Sequence, residues 1–168
     1  MASRTERDHQ TLMRQALTLA KNSPPKPSNF RVGAVLVSLD DGQVVAEGYT
    51  LECEGNTHAE ECCFLKLANQ HATNEEGLVD IMKTPHALYT TMEPCFKRLS
   101  GKLPCVERIL RQKSWVREVY LGVQEPDNFV GQNPGRAMLE SAGIKVEAVP
   151  GYEKEILEVA TAGHVSDA

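Results

Sequence analysis

Aromatic side chains are scarce: one Trp, four Tyr and four Phe among 168 residues, or 5% of the chain. They are scattered, so the sequence offers no stacking platform for single-stranded nucleic acid. A basic excess is also missing. Lys and Arg total 18 against 23 Asp and Glu, a net charge of −5. That balance excludes broad electrostatic attachment to polymeric nucleic acid or anionic lipid, while leaving room for a local pocket that holds one phosphate. No apolar run approaches the ~18–20 residues of a membrane span. Met1 to Gln10 are polar and carry both signs of charge, unlike a secretion leader. A cytoplasmic protein without a membrane partner is expected. No repeat, low-complexity tract or linker divides the sequence, so residues 1–168 are expected to form a single domain.

The 41% hydrophobic and 24% charged composition is that of a folded chain. A chain of this length buries ~70% of its unfolded surface and needs no disulfide staple. Its cysteines are odd in number, five: Cys53, Cys62, Cys63, Cys95 and Cys105. Without a secretion signal, clustered Cys and His point to metal binding or chemistry rather than to disulfides.

Hydrophobic periodicity predicts a helix over Thr11–Lys21, ended by the proline-rich stretch from Ser23 to Pro27. Val32–Ser38 reads as a strand buried on both faces. Asp40-Asp41-Gly42 then turns the chain into an antiparallel partner over Gln43–Glu47. Helices follow over Thr57–Asn69, Cys105–Gln112, Gly135–Ser141 and Tyr152–Ala162, with strands over Ala87–Thr91, Glu118–Val123 and Ile144–Ala148. Gln70–Pro85 is expected to be the longest loop and the most mobile surface feature. The alternation implies an α/β protein, a three-layer α/β/α sandwich around a central mixed five-stranded sheet.

Three features at element boundaries converge on one chemistry: Thr57-His58-Ala59-Glu60, Glu93-Pro94-Cys95 and Leu103-Pro104-Cys105. His58, Cys95 and Cys105 supply one imidazole and two thiolates. Three protein ligands leave a fourth tetrahedral position for water, the pattern of catalytic zinc. A helix start lowers a cysteine's pKa, which would favour a thiolate at Cys105. Glu60, two residues after His58, is placed to move protons between water and a leaving amine. H-x-E followed by Pro-Cys and a second Cys is the signature of zinc deaminases acting on nucleobases. Cys62 and Cys63 fall inside a helix and read as core, and Cys53 as a loop thiol. His9, His71, His86 and His164 lack partner motifs.

With these motifs, the chain resembles the cytidine-deaminase-like fold and, within it, the diaminopyrimidine deaminases of riboflavin biosynthesis, especially the fungal type. The resemblance runs from about Leu12 to about Pro150. It is carried by Asn29-Phe30-Arg31-Val32-Gly33-Ala34-Val35-Leu36-Val37 and by Gly55-Asn56-Thr57-His58-Ala59-Glu60. The nine residues from Phe96 to Pro104 between the two cysteines replace the C-x-x-C of most cytidine, deoxycytidylate and tRNA adenosine deaminases. Gln124-Glu125-Pro126-Asp127 and Ala142-Gly143-Ile144-Lys145-Val146-Glu147 also match. Glu125-Pro126-Asp127-Asn128 stands where many bacterial relatives read D-P-N-P.

The resemblance implies zinc as cofactor and, as substrate, a small phosphorylated diaminopyrimidinone bearing a ribosyl or ribityl chain. Implied substrate contacts are Asn29, Thr57, Ala59, Glu93, Arg98, Ser100, Gly101, Lys102 and Asp127, with Lys97 beside them. It further implies a homodimer or larger homo-oligomer, without the reductase domain fused in bacterial relatives or the pseudouridine-synthase-like domain of some yeasts. Competing readings are a deaminase of cytosine, deoxycytidylate or guanine, which the long insert disfavours, and an inactive zinc-binding partner, which would have no use for Glu60.

Overall fold

The computed structural model describes residues 4–124 and 133–164. The first helix, α1 (Glu6–Ala20), starts earlier than the apolar stripe does. Thr5 and Asp8 form a capping box in which the Asp8 N–H donates to the Thr5 hydroxyl and the Thr5 N–H to the Asp8 carboxylate. Polar opening turns carry no hydrophobic period, so periodicity alone missed them.

Strands β1 (Gly33–Ser38) and β2 (Val44–Tyr49) form the expected antiparallel hairpin. Gly42 takes the left-handed φ of 74° that its turn requires. Then come α2 (Ala59–Gln70), α3 (Leu78–Ile81), β3 (His86–Met92), α4 (Cys105–Arg111), β4 (Val116–Val123), α5 (Gly135–Ser141), β5 (Lys145–Ala148) and α6 (Glu153–Ala160). The sheet has five strands in the order β2-β1-β3-β4-β5. β1 is antiparallel to β2 and β3, whereas β3, β4 and β5 run parallel.

Side chains alternate across the sheet as strand geometry dictates. Ala34, Leu36, Leu88 and Leu121 pack with Cys63, Phe64 and Leu67 of α2, Val106 and Ile109 of α4 and Leu139 of α5. Val35, Val37, Ala87 and Tyr89 face the other way, onto Met13, Ala16 and Leu17 of α1 and Ile156 of α6. These two cores make the three layers. Two glycines let helix backbone lie close against strand backbone. A Cβ on Gly33 would lie 1.8 Å from the Ala16 carbonyl oxygen, and one on Gly48 would lie 2.4 Å from that of Ala59. Gly48 therefore lets the start of α2 rest directly on β2.

The segment expected to be a long loop is more ordered than that. It contains α3, whose Leu78 is fully buried. Glu75 pairs with Arg108 at 2.5 Å, and the Glu75 carbonyl accepts from Gln112 at 2.9 Å. A four-residue helix is too short to leave a periodic signature.

Candidate active site

His58 is the N-cap of α2, with extended backbone at φ −92° and ψ 161°. A tight loop delivers it. Leu51 adopts a left-handed φ of 66° and donates its N–H to the Thr57 carbonyl at 2.8 Å. The Thr57 hydroxyl donates to the Cys53 carbonyl at 2.9 Å. Cys95 follows the carboxyl end of β3 after Glu93-Pro94, and Cys105 is the first residue of α4. The Val106 N–H donates to the Cys95 carbonyl at 3.0 Å, tying the two cysteine segments together.

His58 Nδ1 lies 3.5 Å from the Sγ of Cys95 and 3.5 Å from that of Cys105. With Zn–S near 2.3 Å and Zn–N near 2.0–2.1 Å, a tetrahedral site needs N-to-S edges of about 3.6 Å, so the donor set fits zinc. Among the described residues, this is the one cluster of three metal-ligating side chains.

The two thiols divide their charge in the opposite sense to the sequence expectation. The Cys105 N–H, at the helix start, points to Cys95 Sγ at 3.4 Å. Hydrogen bonding from Cys105, joined by His58, draws the Cys95 pKa down to about 4. Cys105 is fully buried, and the hydrogen bond with Cys95 together with burial holds its thiol well above the ordinary value. The Cys105 thiol thus readies Cys95 as the thiolate, and a divalent cation held by the three residues would supply the charge that ionises Cys105 in turn.

Glu60 lies in the first turn of α2 and is 4% exposed. Its Oε2 is 3.4 Å from Cys105 Sγ, and its Oε1 accepts from the Thr90 hydroxyl at 2.9 Å. Burial pushes its pKa up, against an opposing pull from His58. A buried carboxylate with a raised pKa, held by one oxygen and facing the metal ligands with the other, is suited to taking up and returning a proton. Bound at His58, Cys95 and Cys105, zinc supplies Lewis-acid activation of water near neutral pH.

Above this group opens a cavity of ≈ 260 Å³. Of the expected substrate residues, Asn29, Glu93, Arg98 and Ser100 line it, along with His58, Glu60, Cys95 and Lys97. Thr57, Ala59, Gly101 and Lys102 do not. Thr57 and Ala59 are buried, and Lys102 Nζ donates to the Asn56 carbonyl at 3.2 Å. Asp127 lies outside the described residues.

Arg98, although it lines the cavity, is largely turned inward. Its side chain is 2% exposed, and it donates to Glu61 at 3.0 Å and to the Asn56 carbonyl at 2.5 Å. Leu99, next to it, is fully exposed at the tip of the insert.

Sequence reasoning missed Asn56, whose Oδ1 accepts from Asn29 Nδ2 at 3.1 Å across the cavity wall. It also missed Thr90, a buried threonine in β3, and Glu61, three residues after the N-cap, where a capping-box carboxylate would be sought. Cys62 and Cys63 are fully buried, as expected. Burial and a hydrogen bond with Cys62 raise the Cys53 thiol to about 12. His9, His86 and His164 are engaged with Tyr89 and the carbonyls of Thr84 and Asn29, respectively.

Comparison with known proteins agrees with this geometry. Residues 6–123 match the family described as the cytidine and deoxycytidylate deaminase zinc-binding region. The diaminohydroxyphosphoribosylamino-pyrimidine deaminase of Schizosaccharomyces pombe is 40% identical over 158 residues, covering 94% of this chain but 36% of the relative. The chain thus spans about a third of that relative's length. The crystal structure of Aspergillus oryzae Rib2 deaminase in complex with DARIPP, a C-terminal deletion mutant, is 45% identical with a TM-score of 0.85, covering 94% of this chain and 92% of that one. A Thermotoga maritima deaminase/reductase is 26% identical with a TM-score of 0.70, covering 94% of this chain and 40% of that one. One imidazole, two thiolates and a buried glutamate, set on this mixed sheet and matched across most of its length, place the chain in the cytidine and deoxycytidylate deaminase zinc-binding family.

Proposed function

We propose that the chain is a zinc-dependent hydrolase that removes the 2-amino group of a 2,5-diamino-6-(ribosylamino or ribitylamino)-4(3H)-pyrimidinone 5′-phosphate in riboflavin biosynthesis. The observation that carries this reading is the placement of Glu60 Oε2, 3.4 Å from a ligand sulfur, beneath a cavity walled by the insert between the cysteines. The likeness to Rib2 deaminase in complex with DARIPP supports the same substrate class.

Water adds to the ring carbon that bears the exocyclic amine, the carbon–nitrogen bond breaks, and ammonia leaves a ring carbonyl behind. Glu60 accepts a proton from the attacking water and gives it to the departing nitrogen. Thr90 keeps the carboxylate aimed. Asn29 and Asn56 offer amide donors and acceptors to the ring or its sugar-derived chain. The backbone carbonyl of Glu93 is assigned to the leaving amine. Lys97, Ser100 and Lys102, on the insert, are assigned to the phosphate.

Residues 1–168 are read as one deaminase unit, because both cores share a single sheet. Five cysteines with no disulfide among them suit a reducing compartment, so we place the enzyme in the cytoplasm. No helix among the described residues is long and apolar enough to cross a membrane. The edge strands β2 and β5 offer surfaces for self-association, and a homodimer or larger homo-oligomer is expected by light scattering. The deciding experiment is ammonia release from ribosylamino and ribitylamino pyrimidine phosphates, cytidine, deoxycytidylate and guanine. Turnover confined to the two pyrimidine phosphates supports the reading, and turnover of cytidine or guanine alone overturns it.

A further inference from the structure

The residue after the proton shuttle has no role in the chemistry above, yet it is among the most heavily engaged groups in the protein. Glu61 is 5% exposed. One carboxylate oxygen accepts from the His58 N–H at 3.1 Å and from Arg98 at 3.0 Å, and the other accepts from Arg108 at 2.7 Å. These donors come from three separate places: the N-cap that carries the imidazole ligand, the insert between the two thiolates, and the helix that begins with the second thiolate. Each partner reaches further. Arg98 also donates to the Asn56 carbonyl in the cavity wall, and both Arg98 and Arg108 donate to the Leu103 carbonyl at 3.5 and 3.3 Å. Arg108 extends the chain of pairs to Glu75.

We infer that Glu61 is a positioning residue that joins the imidazole-bearing helix to both thiolate-bearing segments and thereby fixes the spacing of the metal ligands and of the cavity wall. The inference rests on the zinc-deaminase reading of the site. It does not concern the proton chemistry, which belongs to Glu60. It follows from topology. His58 is separated by 37 residues from Cys95 and by 47 from Cys105, so nothing in the local chain fixes their mutual distance. A salt bridge on the surface would not hold such a distance, because solvent screening leaves it weak. A buried carboxylate gripped by two guanidiniums and one backbone N–H is held from three sides, and losing it strands buried cations. Outer groups that orient metal ligands commonly alter metal affinity by about 10–100-fold when removed.

The test uses the zinc-loaded protein and variants Glu61→Gln and Arg108→Met. Glu118→Gln serves as control, because Glu118 pairs with Arg4 and Tyr120 on the opposite face of the sheet. Zinc release is followed with a chromophoric chelator well below the melting temperature of each variant, and KM is measured beside it. Glu61→Gln and Arg108→Met should release zinc at least about ten-fold faster than the parent and raise KM. Glu118→Gln should lower the melting temperature while releasing zinc at the parental rate. If Glu61→Gln fails to fold, Arg108→Met, which removes only one leg of the junction, decides. Folded variants with parental zinc release and parental KM would overturn the inference. Because zinc release is read without substrate, this result is separable from the outcome of the ammonia assay. A parent that holds zinc but deaminates none of the compounds would refute the functional reading alone.

Discussion

The Thr90 hydroxyl sits 2.9 Å from Glu60 Oε1 and 2.9 Å from the Met92 carbonyl oxygen, joining the shuttle carboxylate on α2 to the end of β3. A hydroxyl has one proton and two lone pairs. It donates to Glu60 when the carboxylate is charged, and accepts from it while donating to Met92 when the acid is protonated. Either way Oε1 stays in place. Thr90→Val removes this support with little change in volume. Hydrogen bonds to charged groups are worth about 1.5–3 kcal/mol, so kcat should fall about 10–100-fold with KM little altered. Thr90→Ser should recover most of the loss, and steady-state kinetics on the three proteins reads it.

Glu60→Gln should keep about one zinc per chain, because no ligand is touched, while turnover falls by about two to four orders of magnitude. Metal analysis and ammonia release on the same preparation check both halves. Near-normal turnover would remove Glu60 from the shuttle role.

His86 is 1% exposed, and its ring N–H at Nδ1 donates to the Thr84 carbonyl, 2.8 Å away. Burial holds its pKa below the ordinary 6.5. The unfolded chain therefore binds this proton more readily than the folded one. The contribution to stability is complete above 6.5 and declines as pH falls through 6.5 toward the depressed folded value. Thermal melts should show a lower Tm at about pH 5.5 than at about pH 7.5, and His86→Gln should narrow that gap. His9, also lowered by burial, adds in the same direction.

Lys97 and Lys102 carry the cations of the insert that are not locked into the interior. Replacing both by Ala should raise KM for the phosphorylated substrate by about ten-fold or more, while leaving a dephosphorylated analogue nearly unaffected. Equal losses for the two compounds would remove these lysines from the phosphate contact.

The ligand trio and, apart from α3, the order of elements were legible because they rest on local signals: residue type at a boundary, and periodicity within a segment. His58, Cys95 and Cys105 each sit where a helix or strand ends. What the sequence hid depends on pairing across distance. Nothing in the order of letters distinguishes Arg98 pointing at solvent from Arg98 pointing at Glu61, since the insert is charged in either case. The same holds for the ionisation of the two thiols, which is decided by which thiol donates to the other and by how deeply each is buried. Thr90 is one of two adjacent threonines in its strand, and its importance appears only when Glu60 is found opposite it.

The exposed tip at Leu99 has one more consequence. It is the kind of site where a protease acting on the native protein makes its first cut. A nick there would leave His58 and Cys95 on the amino-terminal fragment and Cys105 on the carboxyl-terminal one. The metal site would then serve as a joint between two polypeptides instead of a knot within one.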